Sequence, residues 1–211
     1  MTITNQTPLD LVFHLSTEDV VIQDGKRSYS PAGQIPNGIA SASVAAPASV
    51  TVKAGEKASV QVTFTLPPET GQRAVVTFFR GVSPIRADGT TGMSASLGTL
   101  VTFTLTTDWN IDIGPVQATP PTPTANMVLT QELRNIGKEP VLPKGVVVIL
   151  TASGKRAAKA SFDPQRLLPG ERLTFSATNP AKLPAGRYRT LSSFEFEGKV
   201  QTNAGEFTIP E

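Results

Sequence analysis

The sequence predicts an all-β protein made of two tandem immunoglobulin-like β-sandwich domains. Three observations carry the prediction. The first is that stretches of strand length alternate apolar and polar residues between turn signals, and the second that no amphipathic helix of useful length occurs. The third is a repeat. "GEKASVQVTFTLPPETGQRAVVTFF" (55–79) and "GERLTFSATNPAKLPAGRYRTLSSF" (170–194) share a Gly-Glu-Lys/Arg turn, an alternating strand, a Leu-Pro, a Gly and a second strand. Gly55 and Gly170 are 115 positions apart, as are Glu56 and Glu171, Lys57 and Arg172, Gly71 and Gly186, and Phe79 and Phe194. A period of that length means two domains rather than a solenoid.

Length and composition agree. A chain of 211 residues suits two domains of about 100 residues each. Charged residues make up only 17%, as expected where Thr, Ser and Gln cover the outward faces of strands. Seventeen Gly and eighteen Pro without a period indicate many turns. The net charge of +2 is spread evenly, seven Lys/Arg against seven Asp/Glu in residues 1–107 and twelve against ten in 108–211. Neither half has the basic excess of a nucleic-acid binder. No apolar run reaches membrane-span length, and Met1 is not followed by a signal-peptide pattern. Membrane anchoring would therefore need segments outside this chain.

In chain order, Thr2–Thr4 reads as a short strand, Asn5–Pro8 as a turn, and Leu9–Leu15 as an apolar run. Asp24-Gly25, Asp88-Gly89 and Ser153-Gly154 are hairpin-turn signals. "SYSPAGQIPNGIASASVAAP" (28–47) has the composition of a long irregular loop, a common place for function. Ser59–Leu66 alternates with Val60, Val62, Phe64 and Leu66 on one face, and Thr99–Leu105 with Val101, Phe103 and Leu105. The first domain is read as 1–107 and the second as 108–211, with Thr106–Asp108 a short stiff linker. Trp109–Ile113 opens the second domain, and Pro115–Asn126 is read as a Pro-broken edge strand. Met127–Leu133, the β-branched run Val146–Leu150 and the alternating Leu173 and Phe175 supply further strands.

Asn135 opens the turn "RNIGKEPVLP" much as Asn5 opens "TNQTPLDL". The second domain has room before that turn for two strands, and the first domain has four residues. The first domain is therefore expected to lack its opening strand in this chain. An upstream segment of a longer precursor or a partner's strand would fill the place.

The stretch "ASVTVKAGEKASVQVTFTLPPETGQRAVVTFF" resembles the first domain of PapD-like periplasmic pilus chaperones and the Ig-like modules of WxL-interacting-type surface proteins. Pro47, Val50, Val52, Gly55, Glu56, Val60, Val62 and Pro67, then Arg73-Ala74-Val75-Val76, fit their pattern. The resemblance implies donation of a strand to a pilus subunit, through alternating apolar residues on the first domain's last strand. Here those are Leu97, Val101, Phe103 and Leu105. It also implies two basic residues that hold the subunit's terminal carboxylate. The stretch Gly98–Trp109 has no Lys or Arg, which leaves Arg73 and Arg80 as the nearest substitutes.

Catalytic and metal chemistry find little support. The one histidine, His14, sits between Phe13 and Leu15, no cysteine exists, and no Gly-x-Ser-x-Gly elbow surrounds a serine. Glu195 and Glu197 would share a strand face, as a glycosidase or calcium pair would, although a solvated face over Phe194 and Phe196 explains them as well. Lys155, Arg156, Lys159, Arg187 and Arg189 form a basic group able to meet a surface polymer or acidic head group. Arg80 and Arg86 flank "GVSP". Tyr29, Ile35 and Asn37 mark the 28–47 loop as a second binding candidate. The expectation is a non-enzymatic, cofactor-free, extracytoplasmic protein of the bacterial envelope, periplasmic or at the cell surface. It would bind a protein partner through a sheet edge or an interdomain cleft, or associate with itself. The alternatives are a strand-donating pilus chaperone and a structural spacer.

Overall fold

The computed structural model describes residues 1–82, 94–122, 125–181 and 183–210. The Asp88-Gly89 turn signal and Arg86 lie outside them. The chain divides into two compact units, one of Met1–Val21 with Arg27–Phe103, the other of Ile22–Lys26 with Thr104–Glu211. Apart from a three-residue 3-10 turn at Ala40–Ala42, the regular structure of the described residues is β-strand.

The first unit is built on β2 (Leu11–Gln23). On one side it pairs with β3 (Lys26–Pro31) and β5 (Ser49–Val52), on the other with β8 (Ala74–Val82). β8 in turn pairs with β9 (Ser94–Thr102), completing a five-stranded sheet. β2 and β3 join through Asp24 and Gly25, both at positive φ (52° and 79°), the backbone of a type I′ hairpin. Two smaller ladders complete the unit. β1 (Thr2–Thr4) pairs with β6 (Lys57–Ser59), and β4 (Ser43–Ala46) with β7 (Gln61–Phe64). The core joins Ile3 of β1 and Val60, between β6 and β7, to Leu11, Phe13, Val52 and Phe79 from the large sheet.

Two expectations are corrected here. The single strand predicted over Ser59–Leu66 is two, because β6 and β7 take different partners and Val60 between them is buried. Leu66 lies beyond the strand and is exposed. The 28–47 loop is largely structured. Its start belongs to β3 and its end to β4, and the 3-10 turn begins where the buried Asp19 carboxylate accepts the Ile39 and Ala40 N–H groups at 2.8 and 3.1 Å. A carboxylate that binds two backbone donors organises a turn the local sequence leaves unspecified.

The second unit is a sandwich of a three-stranded and a four-stranded sheet. The first is β10 (Ile111–Thr119), β11 (Met127–Asn135) and β14 (Arg172–Asn179) in that order. The second runs β13 (Arg156–Phe162), β12 (Lys144–Thr151), β15 (Gly186–Phe196) and β16 (Lys199–Ile209). β10 is an edge strand whose register slips between Ile113 and Val116, across Gly114-Pro115, where proline cannot donate to the ladder. The core stacks Phe162 on Phe194 (centroids 5.3 Å) and sets Phe175 edge-on to Phe194 (5.6 Å).

The repeat is physical as well as textual. Asn5 Nδ2 donates to the Leu9 and Val52 carbonyls (2.7 and 2.9 Å), and its Oδ1 accepts the Thr7 N–H (3.0 Å). Asn135 Nδ2 donates to the Glu139 and Leu167 carbonyls (2.8 and 3.0 Å), and its Oδ1 accepts the Gly137 N–H (2.9 Å). Each asparagine also exchanges backbone bonds with a Gly-Glu turn, Asn5 with Gly55 and Glu56, Asn135 with Gly170 and Glu171. The strand leading into Asn135 is β11, nine residues long and paired on both sides, by β10 and β14. Its counterpart β1 has three residues and one neighbour among the described residues, β6.

Candidate protein-binding edge

β9 borders the five-stranded sheet, with β8 as its one neighbour among the described residues. Its register runs from Val82↔Ser94 to Ala74↔Thr102. Phe103 N–H continues the ladder by donating to the Arg73 carbonyl at 2.8 Å. Antiparallel ladders alternate bonded and non-bonded pairs. Val101, Thr99, Leu97 and Ala95 therefore point their backbone groups at β8, while those of Ser96, Gly98, Leu100 and Thr102 point to the outer side.

Side chains follow the same period. Ala95, Leu97, Thr99 and Val101 sit opposite Gly81, Phe79, Thr77 and Val75, all buried. The strand thus extends a core-facing row, yet Leu97 is 54% exposed and Ala95 and Val101 only half-buried. The core-facing row ends without a cover at the sheet's border.

The other edge strands among the described residues are either only three or four residues long, as β1, β4, β5 and β7 are, or carry a charge, a proline or a bulge. β3 has Lys26, Arg27 and Pro31; β10 has Asp112, Pro115 and a register slip; β13 has Arg156 and Lys159; β14 has Arg172; β16 has Lys199 and Glu206. Charges, prolines and bulges deter unwanted pairing at sheet edges. β9 contains none of these, and the whole stretch 89–107 is uncharged.

The predicted site residues do not form one group. Leu97 and Val101 lie on β9, but the strand ends at Thr102, so the alternation expected through Leu105 stops short. Phe103 turns its ring edge-on to Phe64 at 5.8 Å. Leu105 N–H is taken by the buried Glu139 carboxylate at 3.1 Å, which also accepts Thr106 N–H and Oγ1 at 3.0 and 2.8 Å. Those acceptors pull the backbone out of the ladder and end the strand. The strand begins at Ser94, five residues before the predicted Thr99, and the uncharged 89–107 stretch is the sequence signal for that earlier start.

Arg73 and Arg80 lie on opposite faces of the β8 line, since their separation of seven positions is odd. Arg73 Nη1 donates to the Thr70 and Gln72 carbonyls, both at 3.1 Å. Arg80 holds Glu18 (2.7 Å) and Ser16 (2.6 Å) and lies 4.8 Å from the Phe78 ring centroid. Both arginines thus hold groups of their own unit, and neither is paired with the other for a carboxylate. Tyr29, 48% exposed, stands edge-on to Phe78 (5.3 Å). Ile35 and Asn37 serve the turn that follows β3. The Ile35 carbonyl accepts Gly38 N–H, and the Asn37 carbonyl accepts Thr70 Oγ1 at 2.8 Å.

The remaining candidates also disperse. His14 is exposed, opposite Arg80 and Ser49. Glu195 pairs with Lys144 at 3.3 Å, whereas Glu197 has left the strand for a turn at φ 45°. The shared strand face predicted for the two carboxylates is thereby corrected. The Glu197-Gly198 turn, needed to reverse into β16, rotates the second carboxylate away towards Arg166 (4.0 Å). A depression of about 410 Å³ beside Lys144 is lined by Val146, Ser161, Asp163 and Glu195 among others. Among the described residues no group of three or more His, Asp or Glu could hold a metal ion, and no helix is long and apolar enough to cross a membrane.

Several solved structures are similar to this chain. They include a chain of the CsuC–CsuE chaperone–tip adhesion subunit pre-assembly complex of archaic chaperone-usher Csu pili from Acinetobacter baumannii. The match has 14% identity and a TM-score of 0.42, over 97% of this chain and 88% of that one. The Salmonella enterica SafA pilin in complex with the SafB chaperone matches at 11% identity and a TM-score of 0.42, over 99% and 87%. The Pseudomonas aeruginosa CupB2 chaperone matches at 10% identity and a TM-score of 0.37, over 99% and 90%. No family model matches the sequence, and no curated protein does.

Proposed function

We propose that this chain is a non-enzymatic assembly or binding protein of the bacterial envelope that takes up a strand of a protein partner along β9. The observation that carries the reading is the combination at that strand of outward backbone groups, a partly uncovered apolar row and no protective charge or proline. An incoming strand gains main-chain hydrogen bonds at such an edge and specificity from alternate side chains. Its side chains on the Leu97 face would be apolar, to cover the unfinished row. The periplasmic or cell-surface location goes with the resemblance to PapD-like chaperones read in the sequence, as does the finer reading that the partner is a pilus subunit. The basic pair of those chaperones is not reproduced by Arg73 and Arg80. Affinity would come from the strand itself rather than from a clamped carboxylate.

Amide hydrogen exchange tests this directly. The N–H groups of Ser96, Gly98, Leu100 and Thr102 should exchange quickly in the chain alone. An uncharged peptide that alternates apolar and polar residues should slow all four together. Ser96→Pro, which removes an outward donor and leaves the β8 ladder intact, should abolish that protection. If the four amides are already slow, or no such peptide protects them, the proposal fails.

A further inference from the structure

The four-stranded sheet of the second unit has one face in the core and one in water. Along β12, Val147 and Ile149 are buried, while Val146, Val148 and Leu150 on the other side are half-buried. The register places this outer face in rows. Val148 lies between Lys159 of β13 and Leu191 of β15, and Leu150 between Arg156 and Arg189. Arg189 stands next to Glu206 on β16, and Arg187 is one step further on the same face. Lys155 sits in the adjoining turn.

Charge is distributed unequally along these strands. At the turn end, Lys155, Arg156, Lys159, Arg187 and Arg189 meet a single carboxylate in these rows, Glu206, which Arg187 engages through both Nε (3.1 Å) and Nη2 (2.5 Å). At the opposite end Lys144 and Glu195 pair with each other. Strands lie about 4.8 Å apart and same-face residues about 6.7 Å apart. The strand-borne cations therefore fall within about 10 by 13 Å. That is close to the Debye length of about 10 Å at 0.1 M salt, so they act on an approaching charge together. Among them is Leu191, 47% exposed, with Val148 and Leu150 beside it.

We propose that this face docks on an anionic lipid bilayer. Charge complementarity selects an anionic partner. The leucine set among the arginines selects a bilayer over a soluble polyanion, because a lipid interface accepts apolar side chains and cationic ones at once. The docking is independent of β9 and would hold the chain at a membrane surface without a spanning segment.

The test is co-sedimentation of the full chain with vesicles of phosphatidylglycerol and of phosphatidylcholine. Binding should occur to the first, fall steeply with salt and be absent from the second. Each near-surface cation contributes about five-fold in partition, so Arg156→Glu with Arg189→Glu should lower it by at least about 25-fold. Leu191→Ser should weaken it several-fold, and Lys144→Glu, at the neutral end, should change it little. All four positions are exposed, and circular dichroism would confirm that each variant is folded. Equal binding to both lipids, or no binding to either, overturns the proposal. So does binding to soluble polyphosphate as tight as to vesicles with no effect of Leu191→Ser, which would make the face a polyanion site.

Discussion

Replacing Asn135 with alanine tests whether one side chain holds the turn that opens each sandwich. Asn135 is fully buried, and its amide makes three hydrogen bonds, to the Glu139 and Leu167 carbonyls and from the Gly137 N–H. Alanine leaves two carbonyls and one N–H without that partner. At a net 0.5–1.5 kcal/mol for each bond, the loss is about 3 kcal/mol. The assay is urea unfolding followed by Trp109, the single tryptophan, which packs against the second unit's core. With a slope of about 1.5 kcal/mol per molar, the midpoint should fall by about 2 M. Asn135→Asp keeps the acceptor for Gly137 but sets a carboxylate against two carbonyls, and should do at least as much damage. Asn5→Ala, which removes the matching bonds, should destabilise by a similar amount in far-UV circular dichroism. A midpoint shift below about 0.5 M for Asn135→Ala would refute the argument that these bonds hold the turn.

Three further outcomes rest on the packing and hydrogen bonds of the second unit. Gly145→Ala would put a methyl group 2.5 Å from a ring carbon of Phe194, inside the stacked phenylalanines. It should cost about 1–3 kcal/mol in the Trp109 transition. Glu139→Ala strips the Leu105 and Thr106 N–H groups of their acceptor and should destabilise the second unit by about 2–5 kcal/mol, Glu139→Gln by less. The hydrogen bond from Arg187, and then its charge, hold the Glu206 carboxyl below the usual range. That pairing is present above the carboxyl's ordinary pKa and is lost as pH falls through the depressed one. A carbon-detected NMR titration should place the Glu206 midpoint below those of isolated glutamates, and Arg187→Gln should raise it.

Much of the fold was legible because its signals are local. The β-branched run in Lys144–Thr151, the alternation in Arg172–Asn179, the Asp24-Gly25 turn and the 115-residue repeat need no knowledge of what lies opposite. The function-bearing features are of another kind. That β9 lies at a border while β12 lies inside a sheet depends on which strands pair, and pairing joins residues far apart in sequence. Leu97 and Ile149 look alike as letters, yet one is 54% exposed and the other fully buried. The ends of strands were misread for the same reason. Thr102 terminates β9 near a segment held by Glu139, more than thirty residues on, and Asp19 organises a turn twenty residues away. The basic residues 155–159 and 187–189 were visible as two runs. Only the antiparallel register of β12 with β13 and β15 sets them around Leu150 and Leu191 on one face. Periodicity and turn chemistry determined that this chain is two β-sandwiches. Long-range hydrogen bonding decided which edge stays open and which charges meet, because a strand's neighbours are not written in the strand.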